Sequence, residues 1–149
     1  MQCYHGYIRR MLLKVFMAKL LFVVNVDWFF LSHRLPIAAS ARQAGYEVHV
    51  ATTFTRPKEA LLSQGFVVHE LEIDRSGGGL IKILRNFILL FKIILKVRPD
   101  IIHLVTLQPI LLGGTIARFL FMNNVVYAIS GLGHVFIAND FPSKLRRFA

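Results

Sequence analysis

From Lys19 onward the chain alternates between two hydrophobic periods, and that alternation limits the possible folds more than any other feature. "KLLFVVNV" is an unbroken apolar run, and "LPIAASARQAG" behind it has helical spacing, with Gly45 placed to close the helix. "YEVHVAT" reads as a second strand. A short helix follows, with Pro57 in its first turn and Gly65 at its end. "FVVHELEI" is a third strand, "DRSGGG" a loop, and residues 80–97 a long helix that Arg98-Pro99 breaks. "IIHLV" is a fourth strand, Pro109 opens a helix to about residue 122, and "NVVYAI" is a fifth strand. Strands apolar on both faces, each followed by a helix, predict an α/β fold: a Rossmann-like parallel sheet with helices on both sides.

Composition removes several alternatives. At 149 residues the chain is about one domain long, and its 55% apolar content excludes disorder. A single cysteine, Cys3, builds neither a disulfide framework nor a zinc site, so no metal is expected and a reducing, cytoplasmic setting is. Eighteen Lys and Arg against eight Asp and Glu leave a net charge of +10, which attracts polyanions. Nucleic acid is not the expected one, because no binding module is recognisable and the aromatics are not interleaved with the basic residues. The long uncharged stretches hold asparagines, histidines, glycines and a proline, and read as buried strands and loops rather than membrane spans. Residues 1–16 form an N-terminal extension, either the product of a mis-assigned start before "MAKLLFVVNV" or a short basic arm. At the other end, Ser143 starts what reads as an amphipathic helix cut off in its second turn. Residues 17–149 are therefore expected to be a domain incomplete at its C-terminus.

In doubly wound sheets ligands bind at the carboxyl ends of the strands where strand order reverses, usually beside strands one and four. The loops expected there are "DWFFLSHR", "TLQP" and "SGLGH", which offer Asp27, Arg34, Thr106, Gln108, Gly131, Gly133 and His134 as substrate contacts. Trp28, Phe29 and Phe30 occupy the place of the G-x-G-x-x-G fingerprint, which argues against a nicotinamide dehydrogenase. His33 and Arg34 are expected to begin the first helix, where the positive dipole end favours anions. Arg34 reads either as a phosphate ligand or as a solvated arginine.

Four segments in register, "FLSHRLPIAASARQAGYEVHVAT", "DRSGG", "RPDIIHLVTLQPILLGGTIAR" and "ISGLGHVF", resemble the N-terminal domain of bacterial family 4 glycosyltransferases with the GT-B fold. The resemblance covers Lys19 to about Phe148. It implies an acceptor-side domain for a lipid-linked saccharide in O-antigen, capsule or exopolysaccharide synthesis. No cofactor is implied in this chain, since the nucleotide-sugar donor would bind a C-terminal domain, which becomes an expected partner. The same likeness sets "SGLGHVF" against the interdomain cleft, where Gly131 and Gly133 would let backbone approach substrate; a turn needed only for folding is the other reading. His103 ends the "DIIH" pattern of these enzymes, but Val105 stands where many relatives carry a further histidine. His33 and His103 are accordingly weak catalytic candidates, and His103 also reads as a core residue.

On the helix of residues 80–97, Lys82, Arg85, Lys92 and Lys96 share one face with Leu89, and much of the remaining surface is apolar. This pattern fits either a solvated face or the plane of an anionic membrane. With a lipid-linked acceptor, the latter implies a peripheral location on the inner face of the cytoplasmic membrane. Two other readings stay open: a non-catalytic truncated remnant or partner subunit at the membrane surface, and a GT-B sugar-nucleotide epimerase fragment.

Overall fold

The computed structural model describes residues 17–73 and 79–129. The N-terminal extension, most of the "DRSGGG" loop, the "SGLGH" segment with Gly131, Gly133 and His134, and the terminal helix all lie outside the described residues.

The elements follow in the order β1 (Lys19–Val26), α1 (Asp27–His33), α2 (Leu35–Gln43), β2 (Glu47–Thr53), α3 (Glu59–Leu62), β3 (Val67–Glu70), α4 (Leu80–Val97), β4 (Ile101–Val105), α5 (Leu107–Phe119) and β5 (Val125–Ala128). The five strands are all parallel, in the order β3-β2-β1-β4-β5. Each sheet face has its own core, which is why the strands carry no polar alternation. On one face Leu20, Phe22 and Val24 of β1 pack with Phe30 of α1, Ala38 of α2 and Leu61 of α3. On the other, Leu21 and Val23 meet Leu90 and Ile94 of α4 and Leu112 and Ile116 of α5.

The helix ends have local causes. Gly45 and Gly65 lie at φ 95° and 74°, the left-handed region that a glycine enters without a Cβ penalty. Arg98 closes α4 in the same region at φ 50°, and Pro99 prevents continuation.

The largest correction concerns residues 27–34, expected as a loop. Asp27–His33 form α1, because Phe30 anchors them by edge contacts to Phe22 and Phe66, at 5.5 and 6.0 Å between ring centroids. His33 therefore ends a helix instead of beginning one. Arg34 links α1 to α2, and Pro36 explains the break: its ring would clash with the carbonyl four residues back in a continuous helix. Strands β3 and β5 are shorter than the apolar runs predicted. Helix α5 begins two residues before Pro109 and ends at Phe119.

Candidate functional site at the carboxyl edge of the sheet

Strand order reverses between β1 and β4, so the crevice position lies where those two strands end. Two side chains at the end of β1 set its geometry. Asp27 is 1% exposed. Its carboxylate accepts from the Thr55 hydroxyl at 2.6 Å and from the backbone N–H of Trp28, Thr55 and Arg56 at 2.8, 3.1 and 2.8 Å. Burial raises its pKa, but the Thr55 hydroxyl and the three backbone donors outweigh that and hold it below the ordinary carboxylate value. Asp27 thus ties the segment after β2 to the start of α1, and its oxygens are occupied by the protein itself.

Asn25, two residues earlier, reaches the opposite neighbour. Its Oδ1 accepts a hydrogen bond from the Thr106 hydroxyl. Thr106 has φ 72° and ψ 162°, a conformation almost confined to glycine and adverse for a β-branched residue. It is held from a second side by its own N–H, which donates to the Ala128 carbonyl at 3.1 Å. Gln108 follows in the first turn of α5, half-buried.

His103 lies on the α1–α2 side of β4, and Arg34 lies in the α1–α2 link. His103 stacks on Phe22 at 4.9 Å between centroids, and burial followed by the nearby Arg34 charge pushes its pKa below the ordinary histidine value. His33 is exposed, stacks on Phe29 and shares a 2.7 Å hydrogen bond with Ser32. It is thereby separate from His103.

A cavity of about 450 Å³ opens at the ends of β1, β2 and β3. Val26, Leu71 and Ile73 give it apolar walls, Thr53 and Thr55 hydroxyl edges, and Glu70, Glu72 and Lys82 charge. A floor of aliphatic carbon rimmed by carboxylates and an ammonium suits a polyol, whose C–H faces pack while its hydroxyls hydrogen-bond. Lys82, read from sequence as part of an outward stripe, lines this cavity. Arg85 pairs with Glu72 at 2.7 Å, whereas Lys92 and Lys96 are exposed. Buried Asn86 fixes α4 against this edge: its Oδ1 accepts from Glu72 N at 2.9 Å and its Nδ2 donates to Glu72 O at 2.8 Å.

Sequence reasoning missed Asn25, Thr55, Glu70, Glu72 and Asn86. Asn25 carried a usable signal, being a polar residue inside an otherwise apolar strand. Among the described residues no group of three or more His, Cys, Asp or Glu is placed to hold a metal ion.

The parallel sheet and its crevice define a Rossmann-like α/β domain of the kind that binds ligands at a topological switch point. A glycosyltransferase crystal structure from Rickettsia africae ESF-5 has a similar fold, with a TM-score of 0.58 at 18% sequence identity over 75% of this chain. The match spans 29% of that longer chain. Among curated proteins no relative matches. Residues 19–149 match the family described as Glycosyl transferase 4-like, and the chain belongs to that family.

Proposed function

We propose that this chain is the acceptor-side domain of a nucleotide-sugar-dependent glycosyltransferase that extends a lipid-linked saccharide at the anionic inner face of the cytoplasmic membrane. The pathway class would be O-antigen, capsule or exopolysaccharide synthesis. The nucleotide-sugar would be held by a separate donor-binding domain.

One observation carries the reading: the polyol-suited cavity opens beside the first turns of a helix whose second apolar face has no partner among the described residues. Leu80, Ile81 and Leu84 are 84, 86 and 61% exposed, and Ile88 and Leu95 continue that face along α4. Asn86, Leu90, Ile94 and Val97 already bury the opposite side, so this second apolar strip is not needed for the core. Arg85 pairs with Glu72, but Lys92, Lys96, Arg98 and Arg118 are exposed in a stretch, residues 79–129, whose sequence holds Asp100 as its one acidic residue, and this excess of positive charge favours an anionic surface. A substrate with its tail in a bilayer and its sugars in solution needs such a pairing of cavity and membrane face. Among the described residues no helix is long and apolar enough to cross a membrane, so the contact proposed is peripheral.

Vesicle sedimentation tests this. The chain should pellet with phosphatidylglycerol-containing vesicles, less with pure phosphatidylcholine, and less at high salt. Leu84→Ser combined with Ile88→Ser should release it, and Lys92→Gln with Lys96→Gln should weaken it. Equal binding to neutral and anionic vesicles, or no effect of the α4 variants, would refute the membrane reading.

A further inference from the structure

We propose that the cavity between the C-terminal ends of α4 and α5 binds an acyl chain of an anionic phospholipid, whose phosphate Arg98 holds at the surface. The proposal goes beyond the function above and rests on its membrane reading only for the source of the lipid.

The cavity measures about 250 Å³ and lies where α4 and α5 end, at the edge of the sheet opposite the crevice. Ile94, Leu95, Pro99, Leu120 and Met122 give it apolar walls, and Arg98 is the one charged residue among those described that line it. Ile94 belongs to the buried core, Leu120 and Met122 pack against that core, and Leu95 is 48% exposed. The carbon lining thus runs from the core out to the surface, which suits a hydrocarbon chain. Leu95 also ends the exposed apolar strip of α4, so a bilayer lying against that strip reaches the cavity.

Two residues here hold a left-handed backbone that favours glycine, Arg98 at φ 50° and Phe121 at φ 54°. Glycine would close either helix with less strain, and retention of these side chains points to a use for them. Arg98 is exposed and has no carboxylate partner among the described residues. Phe121 is 88% exposed and Phe119 77%, a display that fits the acyl boundary of a membrane.

Charge decides the occupant. Lys96 and Arg118 are basic residues in the last turns of the two helices, and the carboxylate of Asp100 accepts from Lys19 N at 2.7 Å. The carbonyl end of α4 disfavours an anion, but Lys19 Nζ donates to the Val97 carbonyl at 3.2 Å and offsets that. The chain's own remaining segments suit the place poorly. Residues 1–16 carry Arg9, Arg10 and Lys14, and residues 130–149 carry Lys144, Arg146 and Arg147 against Asp140. A second copy of this basic chain meets the same repulsion. The 18 residues of α4 span about 27 Å, too far for a first sugar on a phosphate at Arg98 to enter the carboxyl-edge cavity. The lipid held here is therefore separate from the acceptor, and it fixes the far end of α4 against the bilayer.

The test follows the methyl resonances of Ile94, Leu95, Leu120 and Met122 in the full chain by NMR. The probes are dihexanoylphosphatidylglycerol and dihexanoylphosphatidylcholine, both below their critical micelle concentrations, and glycerol phosphate, which has no chain. The expected result is a saturable shift of these methyls with phosphatidylglycerol, about tenfold weaker with phosphatidylcholine and absent with glycerol phosphate. Arg98→Gly removes the charge at a position whose backbone suits glycine, so it should fold as the wild type does and lose the preference for phosphatidylglycerol. Lys92→Gln with Lys96→Gln is the control for general surface charge and should keep that preference. No saturable shift with phosphatidylglycerol, equal binding of the two lipids, or an unchanged preference in Arg98→Gly would each overturn the proposal. Nuclear Overhauser contacts from these methyls to residues 1–16 or 130–149 without lipid, or shifts that depend on protein concentration, would assign the cavity to the chain itself and overturn it too. No bilayer is present in the titration, so saturable binding with failed vesicle pelleting would leave the site standing while the membrane reading falls. Pelleting without the methyl shift would do the reverse.

Discussion

Two adjacent glycines in α5 respond to the same substitution with opposite signs. Alanine in a helix interior is favoured over glycine by about 1 kcal/mol, so both changes begin with that gain. At Gly114 a new Cβ would sit 3.1 Å from Tyr127 Cε1. The Tyr127 residue is 53% exposed, so its ring has room to turn away. Gly114→Ala should therefore stabilise the chain by about 0.5 kcal/mol or more. At Gly113 the Cβ would overlap Leu104 Cδ2 and lie 3.2 Å from its Cδ1. Leu104 is fully buried between β4 and α5 and has no space to yield. Overpacking of this kind costs about 1–3 kcal/mol, more than the helix gain, so Gly113→Ala should be destabilising by about 1 kcal/mol net. That corresponds to a melting point lower by roughly 2–4 °C for a domain of this size. Urea unfolding of both variants, with unchanged slope, reads the difference directly. Gly113→Ala as stable as the wild type would mean that α5 rides further from β4 than the packing argument requires. The tight seat of Thr106 between them would then lose its support.

Two further perturbations test the polar framework. Asp27→Asn places an amide donor against a site built from donors, and should cost about 2–3 kcal/mol while opening residues 54–58 to proteolysis; an unchanged urea midpoint would refute the structural role. Because the Asp27 pKa is depressed, its contribution is present above the unfolded carboxylate pKa and lost as pH falls through the folded value, and the variant should lose that acid sensitivity. His49 Nδ1 and His69 Nε2 share a 2.9 Å hydrogen bond beneath α4, with Glu47 3.3 Å from His49 Nε2 and Lys19 and Lys96 nearby. Burial, then His49 and Lys96, lowers the His69 pKa to about 4. The unfolded chain therefore binds more protons between the ordinary histidine pKa and that value, and stability should fall as pH drops through this window, by about 1–2 kcal/mol at pH 5. His69→Gln should flatten that slope, and an unchanged slope would place the titration elsewhere.

Much of the framework was legible because its signals are local. The 3.6- and 2-residue periods, the glycines at 45 and 65 and the Arg98-Pro99 break each act within a few residues, and helix α4 falls where its period predicted. Helix α1 was not legible. "DWFFLSH" shows no clear amphipathic period, and its helix depends on Phe30 packing between Phe22 of the preceding strand and Phe66, which lies far along the chain. The roles of the site residues failed for the same reason. Asp27 is a natural ligand candidate until Thr55 and Arg56, 28 and 29 positions on, are seen to occupy its oxygens. Lys82 shares a helical face with Lys92 and Lys96, but helical phase alone does not say that the first turn of that face overhangs a cavity.

The end of β1 explains why this edge of the sheet suits a binding site. Asn25 and Asp27 stand two residues apart and reach opposite neighbours: Asn25 holds Thr106 after β4, and Asp27 holds Thr55 and Arg56 after β2. The two strands beside β1 are thus locked to it at the level where the chain turns outward. A lock of this kind is what permits Thr106 to keep a backbone conformation that a threonine would otherwise leave. With the edge fixed, the cavity on the β2–β3 side and the Thr106 backbone on the β4 side hold a constant relation to each other before any ligand arrives. A substrate that spans both then loses less entropy in protein ordering than it would on a mobile loop surface. The polar residues at the end of an apolar strand are therefore the ones that convert a generic parallel sheet into a preorganised crevice.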